Sequence, residues 1–363
     1  MTTTLQHLRE LKQSLWLDSI SRPMLDDGRI QRYVSELGVT GLTSNPTIFD
    51  EAIGTGAYDE DIARKAREGK SGEPLFTQLA LDDLRRAAAL FRPAFDATGG
   101  VDGWVSMELS PLLAADTAGS VRAAAEIHRM AAIPNLFVKI PGTPAGVPAI
   151  EQAIFEGIPI NVTLLFSPEQ YLAAANAYLR GIERRIAAGR TPVVASVASL
   201  FVSRWDKAVA DRVPAMMRNR LGIAVAQRTY VAYLGLYSSA RWKNLAAAGA
   251  RPQRMLWAST GTKDPSVPES LYAEAFAAPD TIDTLPEKTL LALSRMEAVP
   301  QVMDPAGGHS ARVIDEFETE DVDVGALATR LQEEGAAAFV KSWHHLMANI
   351  ADKGATLAKV VNR

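Results

Sequence analysis

The chain contains no cysteine, which excludes disulfides, thiolate metal sites, iron–sulfur clusters and a cysteine nucleophile. Long apolar runs are missing too. No stretch without a charged residue exceeds 13 residues, the length of Thr191 to Ser203, short of the ~20 apolar residues that cross a bilayer. There is no basic excess: 38 Lys plus Arg stand against 42 Asp plus Glu, a formal charge of -4. That balance argues against a dedicated nucleic-acid binder. Met1 to Lys12 lacks the basic-then-apolar order of a signal peptide. No Gly/Ser-rich or Pro-rich linker divides the 363 residues, so a single domain over 1–363 is expected. With 47% hydrophobic and 22% charged residues, the composition is that of a compact soluble protein. The expectation is a cytoplasmic globular enzyme or binding protein with no membrane or nucleic-acid partner.

What the chain does have is an alternation. Short apolar, β-branched runs fall at Ser14–Ile20, Val39–Ser44, Gly103–Leu109, Leu136–Ile140, Ile158–Phe166, Pro192–Ser199, Gln253–Ser259 and Asp280–Leu285. Between them lie amphipathic segments such as Leu75–Phe95, Ser120–Met130, Glu169–Ile186 and Asp206–Tyr237. Asp116 and Ser167-Pro168 have the form of helix N-caps. Strands alternating with helices imply parallel pairing through crossovers. Eight of them suggest a (β/α)8 TIM barrel with additional helices; an open doubly wound sheet is the competing architecture. The tail from 287 to 363 reads as C-terminal helices packed on the barrel, with Trp343, Leu346, Met347 and Ile350 forming an apolar stripe.

Several motifs fail. Gly54-Thr-Gly56-Ala-Tyr-Asp59 has Asp59 where a dinucleotide fingerprint needs glycine, and no strand precedes it. In Ser259-Thr-Gly-Thr-Lys263, glycine does not precede the lysine and Asp264 stands where a P-loop needs Ser or Thr. The adjacent His344 and His345 cannot both face one metal from a helix. No metal site is expected.

The informative residues are polar ones embedded in the strands. Lys139 lies within Leu136-Phe-Val-Lys-Ile-Pro141. Burial disfavours its ammonium form, which makes it a candidate amine nucleophile for Schiff-base chemistry. A strand-end lysine reaching solvent or pairing with a carboxylate fits equally well. Asp18 and Glu108 stand at the ends of strands 1 and 3, each suited to general-base work or to a structural ion pair. Asn161 and Thr163, two apart on one strand, share a side. Ser199 and Ser259 close strands 6 and 7, and Asn45 follows strand 2. Together they place a polar group near the C-terminal end of seven successive strands, and in a barrel those ends meet at one mouth. Arg204 and Lys263, after strands 6 and 7, form a candidate anion site; the competing readings are a salt bridge from Arg204 to Asp206 and a solvated Lys263.

Four segments resemble those of the transaldolase family, most closely its longer bacterial branch. They are Thr43-Ser-Asn45-Pro46-Thr, Leu136-Phe-Val-Lys139-Ile-Pro-Gly-Thr143, Ile160-Asn161-Val-Thr163-Leu-Leu-Phe166-Ser and Trp257-Ala-Ser259-Thr-Gly-Thr-Lys263. The resemblance implies a (β/α)8 barrel that moves a dihydroxyacetone unit between sugar phosphates in the pentose phosphate pathway, without a cofactor. It implies Lys139 as the imine-forming residue, Asp18 as general base, and Glu108 with Thr163 holding a proton-shuttling water. Asn45 and Asn161 would hold hydroxyls, with Ser199 and Phe201 also lining the substrate; Arg204, Ser259 and Lys263 would grip phosphate. Other branches carry an arginine at the position of Gly261, so Lys263 is the nearest cation here. Related aldolases that release free dihydroxyacetone usually lack the counterparts of Glu108 and Phe201, which favours transfer. A non-catalytic sugar-phosphate-binding barrel is the remaining alternative, and a monomer or a homodimer fits either function.

Overall fold

The computed structural model describes residues 3–360, with side chains described to residue 356. Eight parallel strands close into a barrel in chain order. They are β1 (Ser14–Leu17), β2 (Val39–Leu42), β3 (Val105–Glu108), β4 (Leu136–Pro141), β5 (Ile160–Leu165), β6 (Ser196–Phe201), β7 (Arg254–Ala258) and β8 (Ile282–Leu285). β8 pairs back onto β1, Ser14 to Ile282 and Leu17 to Leu285, so no sheet edge remains. The open doubly wound alternative is thereby excluded.

Period-two alternation divides each strand between two environments. Val138 and Ile140 of β4, Ile160 and Val162 of β5, and Ala198 and Leu200 of β6 pack outward in a cluster with the surrounding helices. The inward residues change character along the barrel axis. At the amino-terminal end, Trp16, Phe137, Val197, Leu256 and Ile282 fill the interior with apolar bulk, and Trp104 stacks on Phe137 at 4.1 Å. Gly41 of β2 permits this plug: a Cβ there would lie 2.7 Å from both the Trp16 ring and the Trp104 carbonyl oxygen. Two residues further on, the same inward rows carry Asp18, Lys139, Ser199 and Thr284. The polar mouth therefore stands on an apolar floor.

The caps expected from sequence are present. Gly119 N–H donates to Asp116 Oδ1 at 2.9 Å, and Gln170 N–H to Ser167 Oγ at 3.2 Å. The long β2–β3 connection holds three helices, Pro46–Gly54, Asp59–Arg67 and Gly72–Ala97. The segment Asp206–Tyr237, expected as one helix, is instead broken into Ser203–Val209, a 3₁₀ turn at Ala215–Met217 and Leu221–Ser238. Pro214 cannot continue a helix. The buried Asp206 carboxylate instead accepts the N–H groups of Leu221 and Gly222 that open the later helix.

The tail forms helices Glu287–Leu293, Ser310–Thr319 and Val324–Val360. On the last of these, Trp343, Leu346 and Ile350 are buried in the same cluster as Leu15, Leu42 and Met107 of the barrel. Trp343 meets Phe76 edge-on at 5.2 Å. Among the described residues, no helix is long and apolar enough to cross a membrane.

Candidate active site

The polar residues singled out from sequence gather at the carboxyl-terminal mouth. A cavity of about 110 Å³ there is lined by Asp18, Asn45, Lys139, Ser199, Phe201, Arg204, Ser259 and Lys263. A larger groove of about 760 Å³ opens at the opposite end, between Tyr230, Tyr233, Trp242 and Arg251. None of the strand-embedded polar constellation at the mouth lines it, so size alone does not locate the site.

Lys139 sits one inward step above Phe137 and is 5% exposed. Its Nζ donates to the Ser44 carbonyl at 3.1 Å and lies 3.5 Å from Glu108 Oε2. The lysine is therefore both buried and carboxylate-paired, which combines the two readings that sequence left open. Register explains the pairing: Glu108 stands opposite Lys139, and Lys139 opposite Asn161, on adjacent strands. Burial raises the Glu108 carboxyl above the ordinary carboxylate range, while Lys139 and Arg204 pull it down.

Asp18 follows β1 and accepts a 2.8 Å hydrogen bond from Thr43 Oγ1. Burial pushes its carboxyl up as well, opposed by the Lys139 charge, the Thr43 hydrogen bond and Lys263. Asn45 is the N-cap of Pro46–Gly54: its Oδ1 accepts from Ile48 N–H at 3.0 Å, which leaves the Nδ2 donors for a ligand. Asn161 is fully buried. Its Oδ1 accepts from Ser199 Oγ at 2.7 Å and its Nδ2 donates to Ser106 Oγ at 3.1 Å. Glu108, Asn161 and Thr163 are buried and are not among the residues that line this cavity.

At the other side of the mouth, the Arg204 guanidinium lies 5.2 Å from the Phe201 ring centre and 5.7 Å from that of Phe339. Among the described residues no carboxylate comes within ion-pair distance of it. The alternative pairing with Asp206 does not form, because that carboxylate is occupied by the helix opening and by Tyr272. Ser259 adopts a left-handed backbone, φ 56, uncommon for a non-glycine residue and a feature that clusters at functional sites. Its hydroxyl is 3.0 Å from Ser203 Oγ. Lys263 is exposed at the rim, and crowding against protein and against Lys288 lowers its pKa.

Sequence reasoning missed four residues here. Ser106 could have been found, since it shares the inward face with Glu108 two residues on. Thr43 and Thr284 line the cavity as ordinary strand threonines. Phe339 arrives from the long C-terminal helix, and no local pattern announces it.

These features define a (β/α)8 barrel whose carboxyl-terminal mouth combines a buried lysine, two buried-side carboxylates and a cationic rim. The family model described as transaldolase/fructose-6-phosphate aldolase matches residues 15–350. The chain is 42% identical over 365 residues to a transaldolase of Thermobifida fusca, covering 97% of this chain and 99% of that one. It is 43% identical over 350 residues to a transaldolase of Thiobacillus denitrificans, covering 94% and 97%. To a protein named transaldolase 2 from a Nostoc species it is 35% identical over 379 residues, covering 98% and 100%. The chain belongs to the transaldolase/fructose-6-phosphate aldolase family.

Proposed function

We propose that the protein is a transaldolase that works through an imine on Lys139. It would carry a dihydroxyacetone unit from sedoheptulose 7-phosphate to glyceraldehyde 3-phosphate, yielding erythrose 4-phosphate and fructose 6-phosphate in the pentose phosphate pathway. The observation that carries this reading is the buried Lys139 Nζ, held between the Ser44 carbonyl and Glu108 at the mouth.

The Lys139 amine attacks the donor's carbonyl carbon, and loss of water leaves a protonated imine. Asp18 takes the proton of the hydroxyl on the carbon that will depart. The carbon–carbon bond then breaks, its electrons pass into the imine, and a neutral enamine stays on the lysine. The enamine adds to the acceptor's aldehyde carbon, whose oxygen regains a proton from Asp18, and water releases the new ketose. Glu108 and Thr163 hold the water that moves protons while the imine forms and is hydrolysed. Glu108 Oε2 and Thr163 Oγ1 are buried oxygens without a hydrogen-bond partner among the described residues, and such groups call for one.

Asn45 Nδ2 and Asn161, held by Ser199, bind hydroxyls of the bound fragment, and Phe201 walls it. Arg204, Ser259 and Lys263 bind phosphate. The chemistry runs on these side chains, with no metal or organic cofactor. This reading includes a cytoplasmic location, where charged sugar phosphates are retained, and one domain over 1–363. The shared core of Trp343, Leu346 and Ile350 with the barrel supports that single domain.

Borohydride trapping with fructose 6-phosphate, followed by peptide mapping, tests the reading. A reduced three-carbon adduct on Lys139 that disappears when erythrose 4-phosphate is added is the expected result. An adduct indifferent to acceptor would make the enzyme an aldolase that releases dihydroxyacetone. No adduct in a folded protein would overturn imine chemistry altogether.

A further inference from the structure

Arg204 is the half-buried cation of the mouth, and a long arginine can settle in many rotamers unless its surroundings select one. Two of those surroundings come from the C-terminal helix Val324–Val360 rather than from the barrel. Gly335 is buried against the guanidinium: a Cβ built there would lie 2.9 Å from Arg204 Nη1 and 3.0 Å from Leu164 Cδ2. One turn later the Phe339 ring covers the same guanidinium at 5.7 Å, and the Phe201 ring lies at 5.2 Å from it. Both distances are within the range of cation–π attraction.

The helix is also fixed to the barrel at this level. Gln332 Nε2 donates to the Gly142 carbonyl at 3.0 Å and to the Leu164 carbonyl at 2.9 Å. Leu164 has a left-handed φ of 58, and the β5–β6 register shifts there. Gln332 thus holds one end of the contact, and Gly335 and Phe339 shape the other.

We infer that this helix is a specificity element of the site: Gly335 leaves the space that Arg204 needs, and Phe339 holds its guanidinium facing the mouth. Both act as positioning residues for recognition of the donor's phosphate. The inference rests on the phosphate role proposed for Arg204. It assigns the helix a part in substrate choice beyond its packing on the barrel.

The test compares fructose 6-phosphate with unphosphorylated fructose as donors, in the full-length enzyme. In Gly335→Ala the added methyl meets the ends of two side chains, the Arg204 guanidinium and Leu164 Cδ2, both of which can give, so the fold survives and the guanidinium is displaced. KM for fructose 6-phosphate should rise about tenfold, a loss typical of one charge-assisted hydrogen bond, while kcat and the use of fructose hold. Phe339→Leu keeps an apolar side chain but removes the ring face; its selectivity should fall about three- to tenfold, and Phe339→Tyr should restore it.

Arg204→Ala separates the two levels of the argument. If it abolishes phosphate selectivity and the two helix variants reduce it, the inference stands. If it abolishes selectivity while Gly335→Ala and Phe339→Leu leave it intact, the helix has no such role and the Arg204 reading survives. Selectivity unchanged in Arg204→Ala overturns both. Equal losses on both donors in the helix variants would show general disruption and overturn the inference alone.

Discussion

Glu108 and Lys139 stand opposite each other on adjacent parallel strands, and their side chains meet 3.5 Å apart inside the barrel. Each is buried, so each depends on the other for compensation of its charge. Lys139→Arg keeps a cation beside Glu108 but cannot form an imine. Turnover in a transfer assay should fall at least about a thousandfold, with a native circular dichroism spectrum. Lys139→Ala leaves the carboxylate unpaired and should in addition lower stability in urea denaturation by about 3–5 kcal/mol if Glu108 stays charged. Substantial turnover by folded Lys139→Arg would remove the lysine from the chemistry.

The two carboxylates divide the reaction, and pH should reveal them. Burial raises both Asp18 and Glu108, and Lys139 opposes the rise in each. As pH falls, both protonate earlier than free carboxylates, so the acid limb of kcat/KM should lie at higher pH than free carboxylates would give. Asp18→Asn should lower turnover about 10²–10⁴-fold yet still let borohydride trap an adduct that retains all six carbons of fructose 6-phosphate. Glu108→Gln should slow formation of that adduct instead. A six-carbon adduct accumulating in Glu108→Gln and not in Asp18→Asn would reverse the assignments.

Most of the barrel was legible because its central strands are apolar on both faces, and polar residues inside such runs stand out. Lys139 and Asn161 are visible for this reason, and so are the strands that carry them. Legibility failed where partners are distant in sequence or act through the backbone. Pro214 and the Asp206 carboxylate split a segment whose hydrophobic spacing reads as continuous. Asn45 was visible as a polar residue after a strand, but its commitment as a helix cap shows only in the structure. Phe339 reaches Arg204 from another part of the chain, and its apolar spacing is that of any buried helix face.

A hydrogen-bonded row crosses three strands, from Ser199 through Asn161 to Ser106. It fixes which end of the Asn161 amide faces each neighbour. Ser199→Ala leaves Oδ1 buried without its donor, a loss of about 1–3 kcal/mol. Urea denaturation should register that loss, and kcat/KM for the ketose donor should fall with it. Ser106→Ala should do the same from the other end, and the double variant should lose less than the sum. Additive losses would show that the row does not act as a unit.

Asp283 of β8 is fully buried, and neither carboxylate oxygen has a hydrogen-bond partner among the described residues. The neighbouring Thr260 hydroxyl donates to the Thr284 carbonyl instead. Burial pushes the Asp283 carboxyl up to about 8, against about 3.9 for an unfolded aspartate. Between those values the folded chain retains a proton that the unfolded chain has lost, so stability falls as pH rises through this window and levels off above it. Asp283→Asn removes the titration while leaving a side chain of similar shape. Its stability relative to the parent should therefore improve by a few kcal/mol between pH 5 and pH 8. Any fixed cost of burying the amide is the same at both pH values, so this difference isolates the carboxyl group. Parallel stability profiles for parent and variant across that range would show that Asp283 does not hold its proton in the fold.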